Sequence, residues 1–253
     1  IEKSNKFELI KPNSKYEWIN QGDIMFDTFY SLCDKENNYN SFFSLYSLGV
    51  TTNRDAWCFN FNKTKLKENI SKLITNYNNE IDKCINSDRK TKEKINYEFP
   101  DDTTNFSWTR SLKKRFDNRR KINFNENNIV TSMYRPFTKT NLYFSRDLNE
   151  NVYKQYKIYP SNESKNKSIV ITGVGSRAGF SCLMTDCIPC LDMLEKGNCF
   201  PFFKYETQSI DNKENLFNQN NIFGKSIELS QENLNQELTN RFHEKYKLLD
   251  EVK

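Results

Sequence analysis

The stretch "SIVITGVGSRAGFSCLMTD", residues 168–186, decides the fold class. Its apolar opening reads as a strand, and Gly173, Gly175 and Ala178 then fit the spacing G-x-G-x-x-A. Were a helix to begin at Arg177 or Ala178, its backbone N–H groups would face a pyrophosphate, and the chain would be a self-contained nucleotide-binding enzyme using the Gly173–Gly179 loop. The chain continues instead as "FSCLMTDCIPC", in which Thr185 and Pro189 suit a second strand and a turn. The glycines then mark a tight turn at positive φ. A strand after them would sink the nucleotide-binding alternative, and a helix there would support it.

Working outward, "NLYF" before this stretch and "CFPFFKYE" after it also read as short strands, separated by Gly, Pro and Asn turns. In "TTNRDAWCFNF", Trp57, Phe59 and Phe61 alternate with Cys58 and Asn60, a period of two that predicts a strand. Asn62 is a good N-cap for "KTKLKENISKLITNYNNEIDKCI", where Leu66, Ile70, Leu73, Ile74, Tyr77, Ile81, Cys84 and Ile85 fall at helical spacing. A further helix is predicted around "GDIMFDTFYSLCD", with Ile24, Phe26, Phe29, Tyr30 and Cys33 sharing a face. A last one is predicted in "SQENLNQELTNRFHEKYKLL", capped by Ser230, with Leu234, Leu238 and Phe242 on its apolar side. One long helix, several shorter ones and a mixed or antiparallel sheet of short strands make an α+β fold. The expected division is 1–40 as a connector or the tail of a preceding domain, 41–206 as the principal domain, 207–229 as an Asn-rich linker or loop, and 230–253 as the C-terminal helix.

A chain of 253 residues can bury a sizeable core, and 20 Phe with 13 Tyr require much of it to be built from rings. Seven cysteines, an odd number, with no signal peptide and no run of 18 apolar residues, predict free thiols in a reduced, cytoplasmic protein with no membrane partner. Cys187 and Cys190 form a single C-x-x-C without a second pair or a nearby His, so buried thiols fit better than zinc. His243 is the only histidine, no nucleophile motif accompanies it, and neither the tetrapeptide N-P-P-Y nor a Walker lysine motif is present. The chain is expected to be non-catalytic by itself. It opens at Ile1 rather than Met and is expected to be a piece of a longer protein.

Charge is concentrated. The overall excess is +5, yet between Asn105 and Arg146 ten basic residues face two acidic ones. "FSWTRSLKKRFDNRRKINF", residues 106–124, holds seven Lys or Arg in twelve positions. At 100° per residue Trp108, Leu112 and Phe116 share a core-facing side, opposite Arg110, Lys113, Lys114, Arg120 and Lys121; Arg115 and Arg119 complete the run. Acids at i±4 that usually accompany a solvated face are missing but for Asp117. Downstream, "SMYRPFTKTNLYFSRD" adds Tyr134, Arg135, Lys139 and Arg146. Pro136 biases Arg135 toward an extended backbone, and Tyr134 and Phe137 are expected in the core. A local basic stripe on a slightly acidic remainder is a footprint for a polyanion, an acidic protein partner being the competing reading.

"YEWINQGD", "LYSLGVTTNRDAWCFNF", "FSWTRSLKKRF", "SMYRPFTKTNLYFSRDLNENVY", "VITGVGSRAGFSCLMTDCIPCLDML" and "CFPFFKYE" succeed one another in this order across residues 15–206. Together they resemble the target-recognition (specificity) region of the Type ISP restriction-modification enzymes. In that family a nuclease, a helicase-like ATPase, an adenine-N6 methyltransferase and the recognition domain share one chain. The resemblance implies a double-stranded DNA partner and a methyltransferase domain in the same full-length chain. It also implies S-adenosylmethionine, ATP and Mg2+ for the whole enzyme, with no cofactor in this part. Asn53, Arg54, Arg110 and Arg135 are then the first candidates for base contacts, since Asn pairs with adenine and Arg with guanine. Lys113, Lys114, Arg115, Arg119, Arg120, Lys121, Tyr134, Lys139 and Arg146 complete the expected DNA-binding set.

Overall fold

The computed structural model describes residues 11–12, 18, 29–33, 41–86, 99, 107–206, 229–232 and 234–250. They fall into two compact units, one of residues 43–234 and one of residues 1–42 with 235–253. None of the helices among the described residues is long and apolar enough to cross a membrane.

The larger unit runs β1 (Ser47–Leu48), α1 (Asp55–Cys58), β2 (Phe59–Asn60), α2 (Lys63–Asn86), α3 (Arg110–Asp117), β3 (Ile129–Arg135), β4 (Thr138–Tyr143), α4 (Gln155–Ile158), β5 (Ser168–Ile171), β6 (Cys182–Thr185), β7 (Ile188–Pro189), β8 (Asn198–Pro201), β9 (Phe203–Glu206) and β10 (Leu229–Glu232). Among the described residues the strands form two four-stranded sheets, ordered β2-β4-β3-β7 and β1-β8-β5-β6, and a two-stranded ribbon of β9 and β10. All pairings are antiparallel except β3 with β7, so the fold is α+β with a mixed sheet.

Helix α2 forms where its periodicity places it. The Asn62 side chain accepts from the Lys65 N–H at 3.0 Å, closing the first turn as an N-cap should. Leu66, Ile70, Leu73, Ile74, Tyr77, Ile81 and Cys84 are buried, whereas Ile85 lies exposed at the last turn. This face packs on β2 and β4 and joins Leu112, Phe116, Ile122, Val130, Leu142 and Phe144 in one core. The same helix also holds the chain that leaves α3. Asn78 donates to the Ile122 carbonyl at 2.9 Å and accepts from its N–H at 3.0 Å, and the Tyr77 hydroxyl donates to the Arg120 carbonyl at 3.0 Å. The backbone of the basic segment is thereby fixed to the longest helix.

Two expectations are corrected. Trp57 and Cys58 are not in a strand: the Arg54 carbonyl accepts from both N–H groups, at 2.9 and 3.1 Å, winding α1, so extended backbone is limited to β2 and Phe61 is exposed. Ser230 lies in β10 rather than at a helix cap. The C-terminal helix α5 (Gln236–Asp250), in the smaller unit, is capped by Asn235, whose side chain accepts from the Leu238 N–H at 3.1 Å. Helix around 22–34 falls largely outside the described residues, and residues 29–33 carry bends and a bridge from Ser31 to Ser41. In that unit Arg241 lies 5.8 Å over the Tyr30 ring. The Asn-rich span 207–228 lies outside the described residues.

Candidate nucleic-acid interface

Helix α3 divides as its sequence predicts. Leu112 and Phe116 are buried, and Trp108, just before the helix, is partly buried against Phe99, Phe116 and Tyr77 with ring centroids 4.7, 5.3 and 6.0 Å away. Arg110, Lys114 and Arg120 face solvent. Lys113 is half-buried, its ammonium 4.8 Å over the Phe99 ring. Beyond the helix, Arg119 takes a left-handed backbone with φ 53°. Its N–H donates to the Phe116 carbonyl at 2.7 Å and that of Arg120 to the Arg115 carbonyl at 3.2 Å, the Schellman closure that glycine normally makes.

Two basic residues of the expected set lie inside instead. Arg115 is ion-paired with Asp147, the side chains only 14% and 10% exposed, and burial lowers the guanidinium pKa. Arg54 is 3% exposed and donates from Nη2 to the Thr109 hydroxyl, leaving Nε and Nη1 buried without partners; burial lowers its pKa as well. Its guanidinium does not reach the surface, so the structure does not place it where a base contact was expected. It ties the 51–55 turn to the start of α3. Glu150 supports the same joint, accepting from the Ser111 N–H at 3.1 Å and hydroxyl at 2.6 Å.

Asn53 is exposed at that turn, in a left-handed conformation with φ 52°. Near that turn the end of β3 carries Tyr134 and Arg135. The Arg135 guanidinium stacks 3.9 Å over the Tyr134 ring and donates to the Tyr134 carbonyl at 2.8 Å. It also donates to Cys190 Sγ at 3.7 Å and lies 3.9 Å from Asp55. These contacts bring Arg135 and the 53–55 turn together beside a cleft of about 170 Å³ lined by Val50–Asp55 and Cys190–Asp192. Tyr134 is half-buried against Phe59, 4.7 Å between centroids. Phe137 departs from its expected place in the core: it is 86% exposed with φ 58°. Following Pro136 in a two-residue turn, it occupies the position that glycine or asparagine favours. Lys139 and Lys121 pair with Asp186 and Asp82 at 2.7 and 2.6 Å, and Arg146 stacks 4.1 Å over Tyr156.

The glycine loop is a β5–β6 connection with no helix in it. Its N–H groups do hold an anion, the carboxylate of Glu195, which accepts from the N–H of Arg177 and Ala178 at 2.9 and 3.0 Å and from the Ser176 hydroxyl at 3.0 Å. These bonds, that of Ala178 first, depress the Glu195 carboxyl to about 2. With its donors satisfied from within, the loop does not fit a nucleotide or S-adenosylmethionine. Cys187 and Cys190 are buried free thiols, both pushed up by burial, and among the described residues no group of three His, Cys, Asp or Glu could hold a metal ion. Sequence reasoning placed Phe137 in the core and gave the exposed side chains of Arg177 and Phe180 no role. An aromatic at the second turn position after Pro136 was the available signal for the first; nothing local marked the others.

Comparison with curated proteins gives no match. Among solved structures, a nuclease-deletion mutant of the Type ISP restriction-modification enzyme LlaGI in complex with a DNA substrate mimic is similar over 89% of this chain and 20% of that one, with 34% identity and a TM-score of 0.73. The ATP-dependent Type ISP restriction-modification enzyme LlaBIII bound to DNA is similar over 92% and 14%, with 27% identity and a TM-score of 0.73. A DrdV–DNA complex is similar over 96% and 22%, with 27% identity and a TM-score of 0.70. The chain thus spans between 14% and 22% of the length of these relatives. The Type ISP C-terminal specificity domain model matches residues 41–251, most of the sequence, and the chain belongs to that family.

Proposed function

We propose that this chain recognises a short sequence in double-stranded DNA and directs adenine-N6 methylation and restriction by neighbouring domains of a full-length, cytoplasmic restriction-modification enzyme. The observation that carries the reading is the agreement between a specificity-domain match over residues 41–251 and similar structures that were solved with DNA. S-adenosylmethionine, ATP and Mg2+ act in those neighbouring domains, the methyltransferase domain being the partner within the chain. This chain's own part is binding.

The surface supports a division of labour. Arg110 and Lys114 project from a helix whose other side is anchored in the core, and Arg120 from the turn that closes it, so they can meet phosphates without reordering the backbone. Lys113, Arg119, Lys121, Lys139 and Arg146 add charge around them. Asn53 and Arg135, the latter 3.9 Å from Asp55 of the same turn as Asn53, are the candidates for base edges, with Phe137 giving an apolar contact beside them. Arg54 and Arg115 support this surface from beneath.

Genomic DNA from cells with and without the full-length gene tests the reading by methylation mapping. A modified adenine motif should depend on the gene, Arg135→Ala should shift or abolish it, and Arg110→Ala should weaken binding to all duplexes alike without changing it. Absence of any gene-dependent motif overturns the proposal. With about six phosphate contacts, duplex affinity should fall roughly 10³-fold between 50 and 200 mM salt.

A further inference from the structure

The β5–β6 connection is built as a rigid projection. Gly173 could not be any other residue, since a Cβ there would stand 2.1 Å from the Lys196 carbonyl oxygen, and Gly175 has φ 74°. Lys196 donates from Nζ to the Gly175 carbonyl at 2.7 Å, and Glu195 takes the three donors of Ser176, Arg177 and Ala178. Held so firmly, the tip nevertheless shows solvent its largest side chains: Val174 is 95% exposed, Phe180 82% and the Arg177 side chain 94%. Interior packing explains none of them.

The tip is also joined to the surface that carries Asn53 and Arg135. Gly197 donates to the Leu191 carbonyl at 2.9 Å and accepts from Gly49 at 3.2 Å. Leu191 donates to Val50 at 2.9 Å, and Cys190 to Met133 at 3.0 Å. A continuous backbone network therefore runs from the base of the projection to the Asn53 turn and the β3–β4 hairpin with Arg135. Residues 172–182 contain one basic residue and no acidic one, while Glu195 beneath them is occupied. This charge and this continuity favour duplex DNA over an acidic protein surface.

We propose that the β5–β6 hairpin is a DNA-reading finger, in which Arg177 contacts a guanine edge, Val174 and Phe180 lie against thymine methyls or sugars, and Glu195 is the positioning residue. Glu195 Oε1 lies 3.4 Å from Arg177 Nε, so the carboxylate can steady the root of the guanidinium and leave both Nη groups for the O6 and N7 acceptors of guanine. Ordering the fork before it meets DNA reduces the entropy lost on binding. The inference rests on the proposed function, DNA recognition.

The test uses the full natural enzyme: its methylated motif, and its affinity for duplexes carrying that motif or single-base variants of it. Arg177→Ala should relax one G·C position and reduce discrimination there roughly 10- to 100-fold, leaving the other positions read. Arg177→Lys should do the same, because an ammonium lacks the fork. Glu195→Ala should weaken discrimination at that same position while the thermal transition stays cooperative. If the wild-type enzyme neither methylates nor binds a motif, the functional reading itself falls. If it does and Arg177→Ala keeps full discrimination at every position, the finger proposal falls alone. An equal loss of affinity for all duplexes also overturns it, showing a phosphate contact instead.

Discussion

Replacing Phe137 by glycine should stabilise the domain while weakening its hold on DNA. Phe137 has φ 58° in a two-residue turn, and its ring is 86% exposed. A left-handed backbone costs a residue with a Cβ roughly 1–2 kcal/mol, and the added chain entropy of glycine returns roughly 0.5–1 kcal/mol of that. Little burial is lost with so exposed a ring, so the net gain should be about 0.5–1 kcal/mol. For a domain of this size, with a urea m-value near ~3 kcal/mol/M, the midpoint should rise by about 0.2–0.3 M at unchanged slope. Duplex titrations on the same preparations should show weaker binding. Phe137→Ala separates the two effects, since it removes the ring but leaves the strained backbone: affinity should fall and the midpoint should stay within ~0.5 kcal/mol of wild type. A lower midpoint for the glycine variant would show that the ring packs against the fold, and an unchanged affinity in both variants would remove Phe137 from the interface.

The two sides of α3 should separate in the same way: Phe116→Ala, at a buried ring, should cost about 3–5 kcal/mol in urea unfolding. Lys114→Ala should stay within ~0.5 kcal/mol and instead lower the slope of log K against log salt by about 0.9. Arg119→Gly should raise stability by about 0.5–1 kcal/mol, because glycine suits the left-handed position that closes the helix; a loss would mean that the arginine side chain holds the turn. Glu195 supplies a pH test. Its folded pKa of about 2 lies below the ordinary 4.5, so its stabilisation of the finger is complete above pH 4.5 and disappears as pH falls toward 2. Carboxyl chemical shifts and the exchange of the Ala178 amide should track that low titration, and a midpoint near 4.5 would show that the clamp is not formed.

The elements legible in the sequence are those whose pattern and environment agree. Helix α2 has one apolar face, one capping asparagine and one core to meet, and α3 behaves alike. At 55–61 the same aromatic alternation could serve a strand or a turn. The local Thr52–Asp55 contact and the Arg54 carbonyl favour the turn, and no period-two count registers either. Ser230 resembles a cap because its surroundings are polar, but pairing with Tyr205 holds it in a strand, and such long-range pairing leaves no local mark. The glycine loop shows the limit most clearly. Its donors do hold an anion, but the anion is contributed by a residue 17 positions beyond Ala178, and no local spacing points to it.

Counting charge along the chain treats every Lys and Arg as equivalent, whereas the fold sorts them by what a phosphate must displace. Around Arg110, Lys114 and Arg120 it displaces water. At Lys121 and Lys139 it must displace Asp82 and Asp186, but those pairs are about half-exposed and such pairs contribute only ~0–1 kcal/mol, so exchange with DNA is nearly neutral. Arg115 and Asp147 are mostly buried, and separating them would strand a charge in the interior at roughly 3–5 kcal/mol, more than one phosphate contact can offset. Arg54 lies deeper still. The basic stretch is therefore an anchored scaffold that carries a smaller set of available cations. The buried arginines keep the Asn53 turn, the start of α3 and the segment around Asp147 in fixed relation, and that fixed spacing is what a surface must have to meet phosphates at the regular intervals of a duplex.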